Sequence, residues 1–397
     1  MKILVLGVGL QGKAVLHDLE RSEQVREIVA ADMNAEAAED HIRRKGYRKT
    51  SVVHLDATST EHLERLLRSV RPHAVICMLP PHFGFKVAEA AVVCGVHFVS
   101  SSYTGDLVRL DQAARSAGVT LLPEMGMDPG IDLVLCRLAL EELDQVHGLH
   151  SYGAGVPEPA CADHNPLRYK ISWTFDGVLK AYKRPARFLA DGREVRVAEG
   201  KVFWPEYGHT VEVPGLGTLE AYPNGDAVAY MDTFGLGREV RAMGRFALRW
   251  PGHNALVNAL SELGFLEDAP VDVGGCSVSP RQFLVHHLTP RLTFADDERD
   301  VVILLARAWG LKDGEPRRVS YWLIDYRDLE TGLFAMNRTV GYTAAIGAQL
   351  ILNCTITRRG LLNPARDVPP DVLLSELKRR GMTVQKEVED HGAGTGI

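Results

Sequence analysis

The sequence predicts an α/β protein: an N-terminal, doubly wound parallel sheet followed by a second α+β domain on a mixed or antiparallel sheet. Three observations carry this. A short apolar run, Lys2-Ile-Leu-Val-Leu, breaks into Gly7-Val-Gly9-Leu-Gln-Gly12 and then into the amphipathic segment Lys13 to Leu19. Short apolar strands and helical-period segments then alternate as far as Leu122, the pattern of a parallel sheet covered on both faces. Beyond Asp128 the alternation gives way to strand-like runs punctuated by Asp191-Gly192, Pro214-Gly215, Asn224-Gly225, Asp313-Gly314 and Thr331-Gly332.

Each element has its own reason. Gly7 permits a tight turn, Gly9 lets phosphates approach the backbone, and Gly12 lets the helix pack closely on the strand. The helix that starts at Leu10 and Gln11 offers unpaired N–H groups and the positive end of its dipole to a pyrophosphate. A second strand, Ile28-Val-Ala-Ala, ends in Asp32, twenty positions after Gly12, where a Rossmann fold places the acid that holds the adenosine ribose hydroxyls. This predicts a nicotinamide dinucleotide site. A carboxylate at Asp32 repels a 2′-phosphate, and Met33 and Asn34 supply no cation, so NAD is favoured over NADP.

Further strands are predicted over Ser51 to Leu55, Ala74 to Met78, His97 to Ser100 and Val119 to Leu122. Helices lie between them: one after the capping candidate Thr60, one from Val87 closed by Gly95, and one from Leu107 closed by Gly118. A cofactor lies across the carboxyl ends of such strands. That rule selects Asp56-Ala57 near the adenine, and Met78-Leu79-Pro80 and Ser100-Ser101-Ser102-Tyr103 near the nicotinamide and substrate. Two prolines after a strand are also an ordinary strand stop.

In the second half, Val301 to Trp309 and Val319 to Asp325 make a hairpin, extended by Leu333 to Val340. Helices are expected at Ile131 to Leu143, Asn254 to Leu263, Arg281 to Leu288 and Thr343 to Thr355. The domain reading is therefore a dinucleotide-binding domain over 1–128, a substrate-binding and dimerisation domain over 129–340, and C-terminal helices over 341–397 that pack back on the first domain. Glu387 to Ile397, polar and glycine-rich, is expected to be a flexible tail.

Composition narrows the class. The chain has 397 residues, 46% hydrophobic and 24% charged, with a formal charge of −6. A pI near 6.2 gives no support for nucleic-acid or membrane-surface binding. No apolar stretch approaches a membrane span and no leader precedes the first strand, so a cytoplasmic protein is expected. The six cysteines are scattered, with no Cys-x-x-Cys and no histidine pair at ligand spacing, and no metal is predicted.

Outside the glycine turn, the densest cluster of unusual residues is Pro123-Glu-Met-Gly-Met-Asp128-Pro-Gly-Ile-Asp132. Asp128 reads as a helix N-cap with Pro129 in the first helical position, and, leaving the last parallel strand, it also faces the substrate. Glu124 is a weaker candidate. Asp132 reads as a solvated first-turn acid.

On these motifs the chain resembles the saccharopine dehydrogenase (glutamate-forming) or saccharopine reductase family, together with the lysine 6-dehydrogenases. The stretches that carry the first likeness are Val99-Ser-Ser-Ser-Tyr103, Glu124-Met-Gly-Met-Asp-Pro-Gly-Ile-Asp132, Ser151-Tyr-Gly-Ala-Gly-Val-Pro-Glu-Pro159, Asn165-Pro-Leu-Arg-Tyr-Lys-Ile-Ser-Trp173 and Tyr222-Pro-Asn-Gly-Asp226. The region from Arg249-Trp-Pro-Gly-His253 through Lys378-Arg-Arg-Gly is more similar to lysine 6-dehydrogenases. The resemblance implies oxidoreduction at a carbon–nitrogen bond of a lysine-like amino acid, and a homodimer. It points to Ser102, Tyr103 and Asp128 as substrate neighbours, with Tyr169, Lys170 and Trp173 lining the same pocket. Two departures stand out: saccharopine reductases carry arginine where this chain has Gly225, and glycine where it has Arg168. Arg168 is therefore expected to take over a substrate carboxylate through a bidentate contact.

A protonated amine has no lone pair with which to release hydride, so a base is required; a lysine ε-amine has a pKa of about 10.4. Asp128, Tyr103 and His253 are the candidates. The leading expectation is a lysine 6-dehydrogenase-like, NAD-dependent enzyme whose imine product is hydrolysed. A saccharopine dehydrogenase or related reductase of a secondary amine is the alternative. A non-catalytic dinucleotide sensor is the competing class.

Overall fold

The computed structural model describes residues 1–390. These form two compact units, one of Met1–Val134 with Asn337–Gly381 and one of Leu135–Met336 with the described part of 382–397.

The first unit is built on a seven-stranded sheet in the order Gly360–Leu361, Thr120–Leu122, His97–Ser100, Ala74–Cys77, Lys2–Leu6, Glu27–Asp32 and Thr50–His54. Every neighbouring pair is parallel. The central strands are apolar throughout because both faces are covered, and Ile3, Leu4, Val75, Ile76, Phe98 and Val99 are buried. Strand order reverses on either side of Lys2–Leu6, which puts the glycine turn at the switch point of the sheet. The helix that follows, Leu10–Arg21, packs against the later helix Ala335–Leu352 at Gly341. A Cβ added at Gly341 would lie 2.7 Å from both the Gln11 carbonyl oxygen and the Ala14 Cβ. Asp18 on the first helix accepts from both Arg380 and Gln349 and so anchors the C-terminal segment of this unit.

The second unit carries a nine-stranded mixed sheet. Its main path runs His209–Val213, Gly217–Pro223, Ala242–Arg249, Gln145–Pro157, Asp300–Lys312, Glu315–Tyr326 and Val384–Asp390. The pair Ala186–Ala190 and Arg193–Val197 attaches to Ala242–Arg249. Among the strand pairings of its described residues, that of Ala242–Arg249 with Gln145–Pro157 is parallel and the others are antiparallel. The hairpin Asp300–Lys312 with Glu315–Tyr326 turns at Asp313-Gly314, as its turn residues require.

Three expectations about elements are corrected. Leu333 to Val340 is not a strand: the helix Ala335–Leu352 starts there, and Asp300 accepts from Ala335 N at 2.8 Å and Met336 N at 3.0 Å, satisfying two of its orphan donors. The helix Thr60–Val70 is capped by Ser59, whose hydroxyl accepts from His62 N, and not by Thr60. The expected tail divides at 390. Val384–Asp390 is an antiparallel edge strand because its acids meet basic residues, Asp390 on Arg317 and Glu389 on Arg318, while Lys386 pairs with Glu142. The rest of that stretch, 391–397, lies outside the described residues. Among the described residues, no helix is long and apolar enough to cross a membrane.

Candidate functional site

In the first unit, parallel strands bring the predicted dinucleotide residues to one edge, because each lies at or just after the carboxyl end of a strand. The glycine turn is dictated by sterics. Gly7 has φ of +91°, and a Cβ there would press on the Met78 carbonyl oxygen at 3.0 Å. A Cβ on Gly12 would lie 1.9 Å from the Gly7 oxygen, whereas at Gly9 nothing lies within 4 Å. Packing therefore demands glycine at 7 and 12, while position 9 opens outward as a cradle for a phosphate. The helix starting at Leu10 has no side-chain cap, which leaves its first N–H groups for a ligand. These features fit a dinucleotide.

The other predicted residues fall around this turn. Leu10 and Met33 are exposed, and Gln11 accepts from Asn337 Nδ2 at 3.1 Å. Asp56 accepts from the hydroxyl and N–H of Thr58, which hold its carboxyl below the usual range. Ala57 is buried. Met78 and Leu79 are half-buried, and Pro80 caps a short 3₁₀ turn. Ser100 is buried and its Oγ has no hydrogen-bond partner, an orphan that a ligand at this edge could satisfy.

Two loops of the same edge are tied together. Glu124 N donates to Ser102 O at 3.0 Å and Met125 N to Ser100 O at 2.9 Å. Gly126 packs against Ser101, whose Cβ would lie 3.0 Å from a Cβ added there. Ser101 and Ser102 are half-buried, Tyr103 is 40% exposed and Asp128 is half-buried. Asp128 and Pro129 precede the helix rather than cap it, since helix Ile131–Glu141 begins two residues later. Asp132 is buried, not solvated: it accepts from Gly130 N at 2.7 Å.

In the second unit, the segment 165–173 folds into the core beside strand Ala242–Arg249 and helix His253–Glu262. Tyr169 is buried there, and Trp173 packs on the same cluster. The centre of this cluster is Arg249, a residue not singled out as functional from the sequence. Its guanidinium is buried, with ring centroids of Tyr169, Tyr182 and Tyr222 at 5.5, 5.6 and 5.6 Å. Its hydrogen bonds go to neutral oxygens, Nε to Tyr182 Oη at 3.1 Å and Nη1 to Leu248 O at 2.8 Å. The Tyr169 hydroxyl is buried without a hydrogen-bond partner, and burial pushes its pKa up, so it remains a donor. A buried cation beside an unmatched donor calls for an anionic acceptor. An arginine in the apolar run Phe246-Ala-Leu-Arg249-Trp was the sequence signal.

Three second-unit candidates have other engagements. His253 is buried; its Nδ1 faces Leu167 O at 2.6 Å and must carry the proton, so Nε2 accepts from Tyr182 Oη at 3.0 Å. Burial, reinforced by Arg249, pushes its pKa down to about 3. It is a packed neutral histidine, with both nitrogens occupied, which corrects its reading as a base. Lys170, which is buried, is paired with the half-buried Glu298 at 2.5 Å. Burial pushes Glu298 up, but bonds from Lys170, Ala295 N and His164 outweigh it and lower its pKa. Arg168, at φ +48°, pairs with Asp163 at 2.7 Å and donates to Pro251 O. Its guanidinium therefore has partners of its own, which departs from the expected bidentate clamp. Gly225, at φ +72°, has open space around its Cβ position.

Comparison with known proteins agrees with this architecture. A family model described as the saccharopine dehydrogenase NADP binding domain matches residues 3–122, and one described as the saccharopine dehydrogenase C-terminal domain matches residues 126–382. Mitochondrial alpha-aminoadipic semialdehyde synthase of Bos taurus is 26% identical over 96% of this chain but only 47% of its own length. The chain thus spans about half of that relative. Saccharopine dehydrogenase (NADP(+), L-glutamate-forming) of Saccharomyces cerevisiae is 26% identical over 95% of this chain and 96% of its own. The apo structure of the L-Glu-forming yeast enzyme superposes with a TM-score of 0.85 at 25% identity, covering 98% of this chain and 99% of that one.

The cofactor expectation is corrected by these findings. The matched domain is described as NADP-binding and the yeast relative is named for NADP(+), which overturns the preference for NAD over NADP. Asp32 Oδ2 accepts from Val8 N at 2.6 Å and Oδ1 from Asn34 N at 2.8 Å, so the carboxylate braces the glycine turn with both oxygens while each keeps a lone pair for a further donor.

Proposed function

The chain belongs to the saccharopine dehydrogenase family, NAD(P)-dependent oxidoreductases acting on CH–NH donors, and from that premise we propose that it oxidises or forms a secondary amine between amino-acid units. The observation that carries this is Arg249 with Tyr169: a buried cation and an unmatched donor that a substrate carboxylate would satisfy together. The likeness to saccharopine dehydrogenases, full-length for the yeast enzyme, supports a carboxylate-bearing secondary amine over the primary amine of lysine.

NADP, when bound, exchanges hydride with the amine-bearing carbon. Gly7, Gly9 and Gly12 and the first turn at Leu10 would hold its pyrophosphate, with Asn34 beside the adenosine ribose. Asp128 takes the proton from the substrate nitrogen, since an ammonium has no lone pair to support hydride loss. Ser102 and Tyr103, on the loop bonded to the Asp128 loop, orient that nitrogen. Arg249, in the second unit, takes a substrate carboxylate. The assembly proposed is a homodimer.

The test is NADPH absorbance across a panel of saccharopine, lysine, ornithine and diamines, with NAD in parallel. Turnover of a dicarboxylate secondary amine with NADP is expected. Tight NADPH binding with no turnover on the panel would overturn the proposal in favour of a sensor.

A further inference from the structure

Glu124 has three unusual properties at once. It is buried, at 3% exposure, and its backbone has φ of +61°, a left-handed conformation that a non-glycine residue adopts only when its surroundings hold it. Both carboxylate oxygens are in use as well. Oε1 accepts from Thr104 N at 3.0 Å and Thr104 Oγ1 at 2.8 Å, and Oε2 accepts from Asn363 Nδ2 at 3.1 Å. With its own N–H on Ser102 O, one residue thus grips the Ser100–Thr104 loop at two points and ties it to Asn363.

We propose that Glu124 is the positioning residue that sets Ser102 and Tyr103 relative to Asp128, acting through an oriented hydrogen-bond lock rather than by touching substrate. This rests on the reading above, in which those two loops handle the amine. The lock is directional. Asn363 Oδ1 accepts from Ala365 N at 2.9 Å as the cap of helix Pro364–Asp367, which fixes the amide so that its NH₂ points at Glu124. Thr104 likewise presents its N–H. Both neighbours offer donors, so position 124 needs an acceptor on each side, which a carboxylate provides and an amide cannot. Glutamine there leaves two donors facing each other whichever way it is turned. Aspartate at 363 removes the conflict: one oxygen can cap Ala365 while the other accepts from the glutamine NH₂.

The experiment compares the full-length chain with Glu124→Gln, with Glu124→Gln combined with Asn363→Asp, and with Thr104→Val, which removes only the hydroxyl bond. Hydrogen exchange over residues 100–106 and steady-state kinetics with the panel's best amine are measured together. In Glu124→Gln, exchange over 100–106 should accelerate about tenfold and KM for the amine should rise at least about tenfold, with kcat and NADPH affinity changed less than about threefold. Adding Asn363→Asp should restore both readouts, and Thr104→Val should fall between. Unchanged exchange in Glu124→Gln overturns the lock. Faster exchange with unchanged KM reduces Glu124 to a structural residue and overturns its positioning role, as does failure of the double variant to recover. If the wild type turns over no amine while exchange follows the predicted order, the lock stands and the functional proposal fails.

Discussion

The glycine turn and the Arg249 cluster are built on opposite plans. The turn is six contiguous residues, Gly7 to Gly12, that present main-chain N–H groups and an absence of side chains. The cluster draws Tyr169, Tyr182, Tyr222, Arg249 and His253 from five places in the second unit, and the role proposed for it rests on what two of them lack, a carboxylate for the Arg249 guanidinium and an acceptor for the Tyr169 hydroxyl. Backbone sites fail by steric intrusion. Side-chain sites fail by loss of one polar group.

The sharpest test of the backbone plan separates its two kinds of glycine. In Gly12→Ala the new methyl would meet the Gly7 carbonyl oxygen at 1.9 Å, and backbone must shift, so both NADPH binding and the thermal midpoint should fall, binding by about 100-fold or more. Gly9→Ala has free space around it and should fold like the wild type while binding NADPH more weakly. Fluorescence titration beside thermal melts checks this. Equal loss of stability in the two variants would show that position 9 is also a packing glycine.

The side-chain plan predicts a different pattern. Arg249→Met should raise KM for the carboxylate-bearing amine by about 100-fold, the scale of one charge-assisted contact of roughly 2–3 kcal/mol, and leave NADPH affinity within about twofold. Arg168→Met should change KM by less than about threefold, because that guanidinium already has Asp163 and Pro251 O as partners and surface pairs contribute little. The two arginines thus make a direct contrast in one unit. A large KM effect at 168 with none at 249 would return the carboxylate to Arg168.

What could be read from the sequence follows the same division. The parallel sheet and its glycine turn were legible because strand period, glycine spacing and helical period repeat locally, and each local preference agrees with the fold. Asp32 was found, but the preference for NAD drawn from it was overturned by the matched domain, which is described as NADP-binding; spacing locates the carboxylate without showing that it also braces Val8 and Asn34. The Arg249 cluster was illegible because residues 80 positions apart converge only after the second sheet forms. The strand Val384–Asp390 was missed for a related reason: its acids look like a solvated tail until Arg317 and Arg318 are placed opposite. His253 was noticed for its residue type, while its two occupied nitrogens could be known only from Leu167 and Tyr182.

That histidine gives the smallest expected effect and a test of how dry the cluster is. Its pKa is pushed down to about 3 from an ordinary value of 6.5. Below pH 6.5 the unfolded chain therefore takes up a proton that the folded chain refuses, so stability is full above that pH and declines as pH falls toward 3. One such group contributes a slope of about 1.4 kcal/mol per pH unit within the window. Between pH 6.5 and 5.0 the wild type should lose about 2 kcal/mol more than His253→Gln, by denaturant midpoints at each pH. His150 and His209, pushed down by burial to about 3 and about 4 in the same unit, continue to contribute in the variant, so its slope should shrink without vanishing. An unchanged slope would mean that water reaches His253 and with it the guanidinium beside it; the carboxylate-binding role of Arg249 would then lose its desolvated setting, leaving the glycine turn as the better-founded half of the comparison.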